Sequence, residues 1–204
     1  MNVESYPFPH VVLDGWWEDR LLRKARREIN ERVLTIGFDN QYERKLGAPF
    51  SAGGHYCATV RSLLAGDAWI SQIEQAFGYE PCSLSFDDIG GGVHWIPTGG
   101  FLARHVDFAQ NGQGLWRRIN CLIYLNDGWR SGDGGELELA AEKDGPTVVQ
   151  IEPVWNRTVV FETSDTSWHG HPEPLVRGPR VSFAGYYFAS GKPEGLTDHS
   201  TVFA

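Results

Sequence analysis

Apolar residues follow two rhythms along the chain. In two stretches before about residue 80 they recur at helical spacing. Beyond it they fall into short runs separated by Gly, Pro and Asp. Tyr6-Pro7-Phe8-Pro9-His10 reads as an extended lead-in, because each proline restricts itself and the residue before it. Val11-Val12-Leu13 predicts a short buried strand. Asp14 is the expected N-cap of a helix from about Trp16 to about Val33, with Leu21, Leu22, Ala25 and Ile29 as its buried stripe. Residues 37–58, with Gly47, Pro49, Gly53 and Gly54, predict an irregular stretch long enough to border a substrate site. Asp67 is expected to cap a second helix, Ala68 to Phe77, closed by Gly78, with Ile70, Ile73 and Phe77 on one side.

The later runs predict strands at Cys82–Asp87, Gly92–Ile96, Leu102–Asp107, Ile119–Asn126, Glu136–Ala140, Val148–Glu152, Thr158–Glu162 and Val181–Ala189. Short strands bounded by turn residues point to a sandwich or jelly roll, with the two helices packed on one outer face. The expected architecture is therefore mainly β with supporting N-terminal helices. At 204 residues, one domain is expected, with 1–80 as helical support and 81–204 as the β core.

Composition narrows the partners. A net charge of -8 argues against a nucleic-acid backbone as ligand, which needs a basic surface. Arg20, Arg23, Lys24, Arg26 and Arg27 make the first helix locally basic and read as a solvated face. No apolar run approaches a membrane span, and residues 1–10 lack the pattern of a secretory leader, so no membrane partner is expected. Cys57, Cys82 and Cys121 are too scattered for a disulfide framework or a zinc motif; reduced thiols in a cytoplasmic protein are expected.

The chemistry begins at Arg104-His105-Val106-Asp107-Phe108. On an extended strand residues i and i+2 share a face, so His105 and Asp107 can grip one metal ion from one side. His-x-Asp alone is a weak signal. It gains weight from His169 in Ser167-Trp168-His169-Gly170 and from Arg180 in Arg180-Val181-Ser182-Phe183. Two histidines and one carboxylate with open positions form the facial triad of non-haem Fe(II) oxygenases. An arginine fork suits the far carboxylate of a dicarboxylic co-substrate.

The order of these and neighbouring features resembles the prolyl 4-hydroxylase-like branch of the Fe(II)/2-oxoglutarate-dependent dioxygenases. Trp95-Ile96-Pro97-Thr98-Gly99-Gly100-Phe101-Leu102 leads into His105-Val106-Asp107. Arg118 through Asn126, with its Tyr124-Leu125-Asn126, follows, and then Gly134-Gly135-Glu136-Leu137, Trp168-His169 and Arg180-Val181-Ser182. The resemblance implies a double-stranded β-helix, Fe(II) as cofactor, O2 as reactant, and 2-oxoglutarate as co-substrate, decarboxylated to succinate and CO2 as a C–H bond is hydroxylated. His105, Asp107 and His169 would be the iron ligands and catalytic residues. Arg180 would hold the distal carboxylate of 2-oxoglutarate, with Tyr124 and Ser182 as further donors. Trp95 stands where the family often has a tyrosine that touches the co-substrate, although an indole offers one N–H and no acceptor. Asp107, a carboxylate where related halogenases have a small residue, favours hydroxylation.

The same resemblance prefers His169 over His171 as the second histidine ligand. His171 is then a neighbour of the site or solvated. His94, opposite in parity to Trp95, is expected to be structural, and His10, His55 and His199 to lie on the surface or in loops. Arg117 sits where relatives often orient substrate, with a surface role equally open, and Phe108, Asn111 and Trp116 are candidates for the entrance, with 37–58 and 108–117 as lids. A prolyl or other residue of a protein, a free amino acid and a small metabolite all remain open as substrate. A β-barrel module holding structural zinc is the alternative class, and it requires a fourth ligand such as His171. A nucleic-acid demethylase on the same core is disfavoured by the acidic balance.

Overall fold

Twelve antiparallel strands form one curled sheet in the computed structural model, which describes residues 1–204. One wall runs β1 (His10–Asp14), β9 (Arg157–Glu162), β6 (Trp116–Tyr124), β11 (Arg180–Ala189), β4 (Ser85–Ile96) and β3 (Glu43–Ala48). The path then turns into β5 (Phe101–Val106), β10 (Trp168–His171), β7 (Leu137–Ala140) and β8 (Val149–Ile151). The turn is made by β3 itself, whose Leu46, Gly47 and Ala48 pair with β4 while Glu43 and Arg44 pair with β5. β2 (Ile36–Asp39) extends the sheet from β3, and β12 (Val202–Phe203) pairs with Val106 and His105. This is the jelly-roll, or double-stranded β-helix, architecture.

Strand alternation explains why the large wall is buried on both sides. Val181, Phe183 and Tyr187 of β11 face a core shared with three helices: α1 (Asp19–Glu28), α2 (His55–Leu64) and α3 (Asp67–Phe77). Those helices contribute Leu22, Ala25, Val60, Leu64, Ile70 and Ile73 to that core. The intervening Arg180, Ser182 and Tyr186 face the interior of the curl and line a cavity there. Every residue from Arg180 to Phe188 is consequently buried, as expected for a strand covered on both faces.

Several elements depart from the sequence reading. The first helix is shorter at both ends. Its N-cap is Glu18, whose carboxylate accepts from the backbone N–H groups of Arg20 and Leu21. Asp14 instead ends β1 and pairs with Arg157 of β9 at 2.7 Å. The helix stops at Glu28 because Ile29 is extended, and residues 31–33 form a separate 3-10 turn.

Residues 37–58 are largely regular, holding β3, most of β2 and the start of a helix that the glycine-rich pattern conceals. Glycine at 47 eases the packing of β3 on β4, since a Cβ there would lie a tight 3.1 Å from the Val93 carbonyl oxygen. Helix α2 has no local side-chain cap. The Glu28 carboxylate, arriving from the end of α1, accepts the N–H groups of Tyr56 and Cys57, so a distant anion satisfies the helix N-terminus. Three helices thus support the sheet rather than two.

The two strands expected at 82–96 are one, β4, irregular at Gly90-Gly91-Gly92, where pairing with β11 shifts register. Gly92 has φ +95° and lies so close to β3 that a Cβ would meet the Ala48 carbonyl oxygen at 2.4 Å. Gly78, at φ +74°, closes α3 as expected. No helix is long and apolar enough to cross a membrane.

Phe50 joins the two layers: it is fully buried and stacks on Phe183 with ring centroids 5.1 Å apart. Phe50→Ala is expected to cost about 3–5 kcal/mol, read by urea denaturation, with unfolding still in a single transition. Two separate transitions would show that helices and sheet unfold independently.

Candidate active site

His105 on β5 and His169 on β10 are direct register partners, so both imidazoles project from one face, with ring centroids 4.4 Å apart. Asp107 follows just past the end of β5. Its Oδ1 lies 3.7 Å from His105 Nε2 and its Oδ2 3.4 Å from His169 Nε2. One potential ligand atom from each of the three lies within 4.8 Å of the others. The remaining ring nitrogens are committed: Nδ1 of His105 and of His169 each lie 2.9 Å from the carbonyl oxygen two residues earlier, Ala103 and Ser167. That bond needs the proton on Nδ1 and leaves the Nε2 lone pair facing the centre.

The second oxygen of Asp107 is also engaged. Asn120 Nδ2 donates to Oδ2 at 2.6 Å, and Arg117 Nη2 lies 3.3 Å from the same atom. Arg117 Nε in turn donates to Asn120 Oδ1 at 2.7 Å. Residues i and i+3 of a regular strand point to opposite faces. A register shift between β6 and β11 at Tyr187/Phe188 lets Arg117 and Asn120 reach one carboxylate. Arg117 is 2% exposed and lies against the Tyr186 ring, 3.5 Å from its centroid.

Arg180 is 5% exposed and makes no salt bridge, the Glu136 carboxylate acting on it only through space. Its Nε donates to the Gly135 carbonyl oxygen at 2.7 Å and its Nη2 to the Tyr124 hydroxyl at 3.1 Å. Gly135 leaves the arginine its path, because a Cβ there would lie 2.8 Å from Arg180 Cδ. Ser182, 1% exposed, has no hydrogen-bond partner, and neither ring nitrogen of His171, 3% exposed, has one. All of these except Gly135 and Tyr124 line the same cavity of about 280 Å³ as the triad. Phe38, Glu43, Lys45 and Phe203 line it too, from β2, β3 and β12.

Burial alone would raise the Asp107 carboxyl. The Arg117 guanidinium, then His169 and His105, override it and hold the group well below the usual carboxylate range. Burial, then the neighbouring His105, lower the His169 imidazole to about 4. Burial, then Arg180, hold His171 well below the ordinary imidazole range. Two imidazoles with free Nε2 lone pairs and an ionised carboxylate, converging from one side, suit a facial Fe(II) site. A buried guanidinium without a counter-ion, beside a phenol and unpartnered polar groups, suits a carboxylate.

Phe108 lines the cavity and Tyr124 meets Arg180. Trp95 does not line it. It packs against the helix-side core, with the Arg26 guanidinium 5.3 Å from its ring centroid. His94 takes the cavity face instead, opposite Ser182 in the register, so the expected parities of these two are exchanged. Trp116 packs with Ala109 and Leu196 away from the cavity. Asn111 braces its own loop and donates to Asp87 at 3.0 Å. Arg117, open as substrate anchor or surface residue, contacts Asp107 instead. His10 is buried rather than superficial, with Nδ1 2.9 Å from the Phe8 carbonyl oxygen. Asn120 and the Glu43–Lys45 pair, 2.7 Å apart, were not singled out in the sequence, although Asn120 lies in the Arg118–Asn126 motif and the pair in the 37–58 stretch.

Comparison with known proteins agrees with this geometry. A family model described as the 2OG-Fe(II) oxygenase superfamily matches residues 91–188. Prolyl 3-hydroxylase OGFOD1 from Xenopus laevis is 37% identical over 215 residues, covering 98% of this chain and 39% of its own. The chain spans about two fifths of the length of the curated relatives it matches. Among solved structures, a prolyl-4-hydroxylase from Pseudomonas putida superposes with a TM-score of 0.66 at 22% identity, over 88% of this chain and 92% of that one. A Trichoplax adhaerens prolyl hydroxylase, solved with a hypoxia inducible factor peptide fragment, gives 0.65 at 18% identity, over 88% and 83%. At these identities the structures speak for the fold alone.

His169 carries a consequence for pH. In the folded, metal-free protein it stays neutral down to about 4, whereas the unfolded chain protonates it near 6.5. Unfolding therefore takes up a proton below 6.5, and the stability this group contributes is complete above that value and lost as pH falls towards 4. From pH 7.5 to about 5 the loss is roughly 2 kcal/mol. Urea denaturation is expected to show it in metal-free wild type and to show less of it in His169→Leu; equal losses would refute the assignment.

Proposed function

We propose that the chain is a 2OG-Fe(II) oxygenase, as the family model over residues 91–188 and the 37% identical relative support, and that it hydroxylates a prolyl residue of a polypeptide, using Fe(II), 2-oxoglutarate and O2. The observation that carries the reading is Arg180, a buried cation without a counter-ion, in one cavity with the His105–Asp107–His169 triad. The triad would hold Fe(II) on one face. Arg180 and the Tyr124 hydroxyl, with Ser182 beside them, would hold the distal carboxylate of 2-oxoglutarate.

Iron and 2-oxoglutarate, when bound, supply the oxidising chemistry, with O2 consumed and succinate and CO2 released. The chain supplies orientation. Asn120 and Arg117 occupy Asp107 Oδ2, which leaves Oδ1 for the metal. The Ala103 and Ser167 carbonyls fix the tautomers of the two histidines. Leu122, Leu137 and Phe161 wall the cavity with apolar surface and limit water.

Charge pairing supports a residue within a polypeptide over a free amino acid. Lys45 is neutralised by Glu43 at 2.7 Å and Arg117 by Asp107 at 3.3 Å. Apart from Arg180, the cavity has no unpaired charge ready for the ammonium and carboxylate of a zwitterion. Phe38, 43% exposed, extends apolar surface outward from the cavity. The prolyl hydroxylase names of the curated relatives support the choice of proline. The alternative of a structural zinc module is weakened by His171, which stands outside the three-residue ligand group and leaves no fourth ligand. Three free thiols support the cytoplasm as the place of action.

His105→Ala is expected to abolish substrate-dependent succinate release, by at least about 100-fold, with an unchanged far-ultraviolet circular dichroism spectrum. Normal turnover by that variant would overturn the reading. Mass spectrometry of proline-containing peptides incubated with enzyme, Fe(II) and 2-oxoglutarate is expected to show addition of one oxygen atom. Oxidation of free proline or another free amino acid, with the peptides untouched, would transfer the function to small molecules.

A further inference from the structure

A buried histidine in a finished core satisfies its ring nitrogens, because an unpartnered polar group away from water is costly. His171 does not. It is 3% exposed and neither nitrogen has a partner. The other buried side chains with an unpartnered polar atom are Ser83, Arg104, Thr163 and Ser182. Of all five, only His171 and Ser182 line the cavity. They come from opposite walls, His171 from β10 and Ser182 from β11, and Arg180 lies two residues before Ser182 on the same face. A guanidinium without a counter-ion and two unsatisfied polar side chains thus open into one space.

We propose that His171 is a co-substrate-binding residue that donates a hydrogen bond to the carboxylate held by Arg180, closing the anion site from the wall opposite Ser182. This rests on the reading of 2-oxoglutarate as co-substrate. Arg180, Tyr124 and Ser182 approach from the large wall. His171 is the polar group on the other wall that can meet the same carboxylate, since Gly170 beside it has no side chain and His169 faces the metal centre. The geometry of β10 provides for this. Its pairing with β5 shifts register between His169 and His171, the first opposite His105 and the second opposite Leu102, so consecutive inward positions serve two different groups.

The test is anaerobic binding, which needs no turnover. Fe(II)-loaded wild type, His171→Leu and His171→Asn are titrated with 2-oxoglutarate and followed by the visible charge-transfer band of a chelated keto acid. The same titrations use 2-oxopentanoate, which has the same carbon chain but no distal carboxylate. His171→Leu is expected to weaken 2-oxoglutarate binding roughly 10- to 100-fold and to leave 2-oxopentanoate binding within about twofold. His171→Asn, which keeps an N–H donor, is expected to recover part of the loss. Metal affinity, read by Mn(II) paramagnetic resonance, is expected to stay unchanged in both.

Wild-type affinity for 2-oxoglutarate in His171→Leu would overturn the assignment. So would equal weakening of both keto acids, or loss of the metal, because each places the effect at the chelate rather than at the distal carboxylate. If wild type itself gives no band, the co-substrate reading fails and this proposal falls with it.

Discussion

One pairing carries the site: His105 opposite His169 across β5 and β10. In an antiparallel pair, direct partners share a face, and a slip of one residue would send one imidazole outward. Everything that makes the triad depends on this register being held. Outside the site, Arg104 holds it. On the face opposite His105, its guanidinium bonds Glu138, Thr147 and the Gly145 carbonyl, which ties β5 to β7 and to the turn beyond it. Its neighbour Gly170 must be glycine for the same reason, since a Cβ would lie 2.8 Å from the Ala103 carbonyl oxygen.

Around that pairing the interior is organised by charge. Asp107 is largely covered and kept ionised by Arg117, and Lys45 and Glu43 neutralise each other. Buried ion pairs of this kind are poor contributors to stability, because desolvation offsets most of the attraction. Their presence in the cavity is better understood as control of which oxygen is free and which charge is available. Arg180 is the exception left without a salt-bridge partner, and burial lowers its pKa from the ordinary guanidinium value.

The strands after residue 82 and the His105–Asp107 pair were legible because period-2 patterning and the His-x-Asp spacing are local signals, whereas His169 was singled out over His171 only by the family resemblance. Gly78 as the closing residue of α3 was legible for the same reason. What escaped was non-local. The Glu28 cap of α2 joins residues far apart in sequence, and nothing near His55 announces a helix start. β10 has only four residues and little apolar patterning. Trp95 and His94 exchanged places because parity along a strand is readable only once one position is anchored, and Trp95 was the wrong anchor. The register with Ser182 settles it for His94. Arg117 and Asn120 share a carboxylate only through a shift between β6 and β11 that no sequence rule announces.

The cavity owes part of its mouth to β3, and β3 is also the seam between the two walls. A loop at that place would tolerate added or removed residues. A seam cannot, since an inserted residue would invert Glu43 and Lys45 or unfasten one wall from the other. The shape of this part of the cavity can therefore be retuned only by exchanging side chains at alternate positions along the strand, with its length held constant by its pairing to both walls.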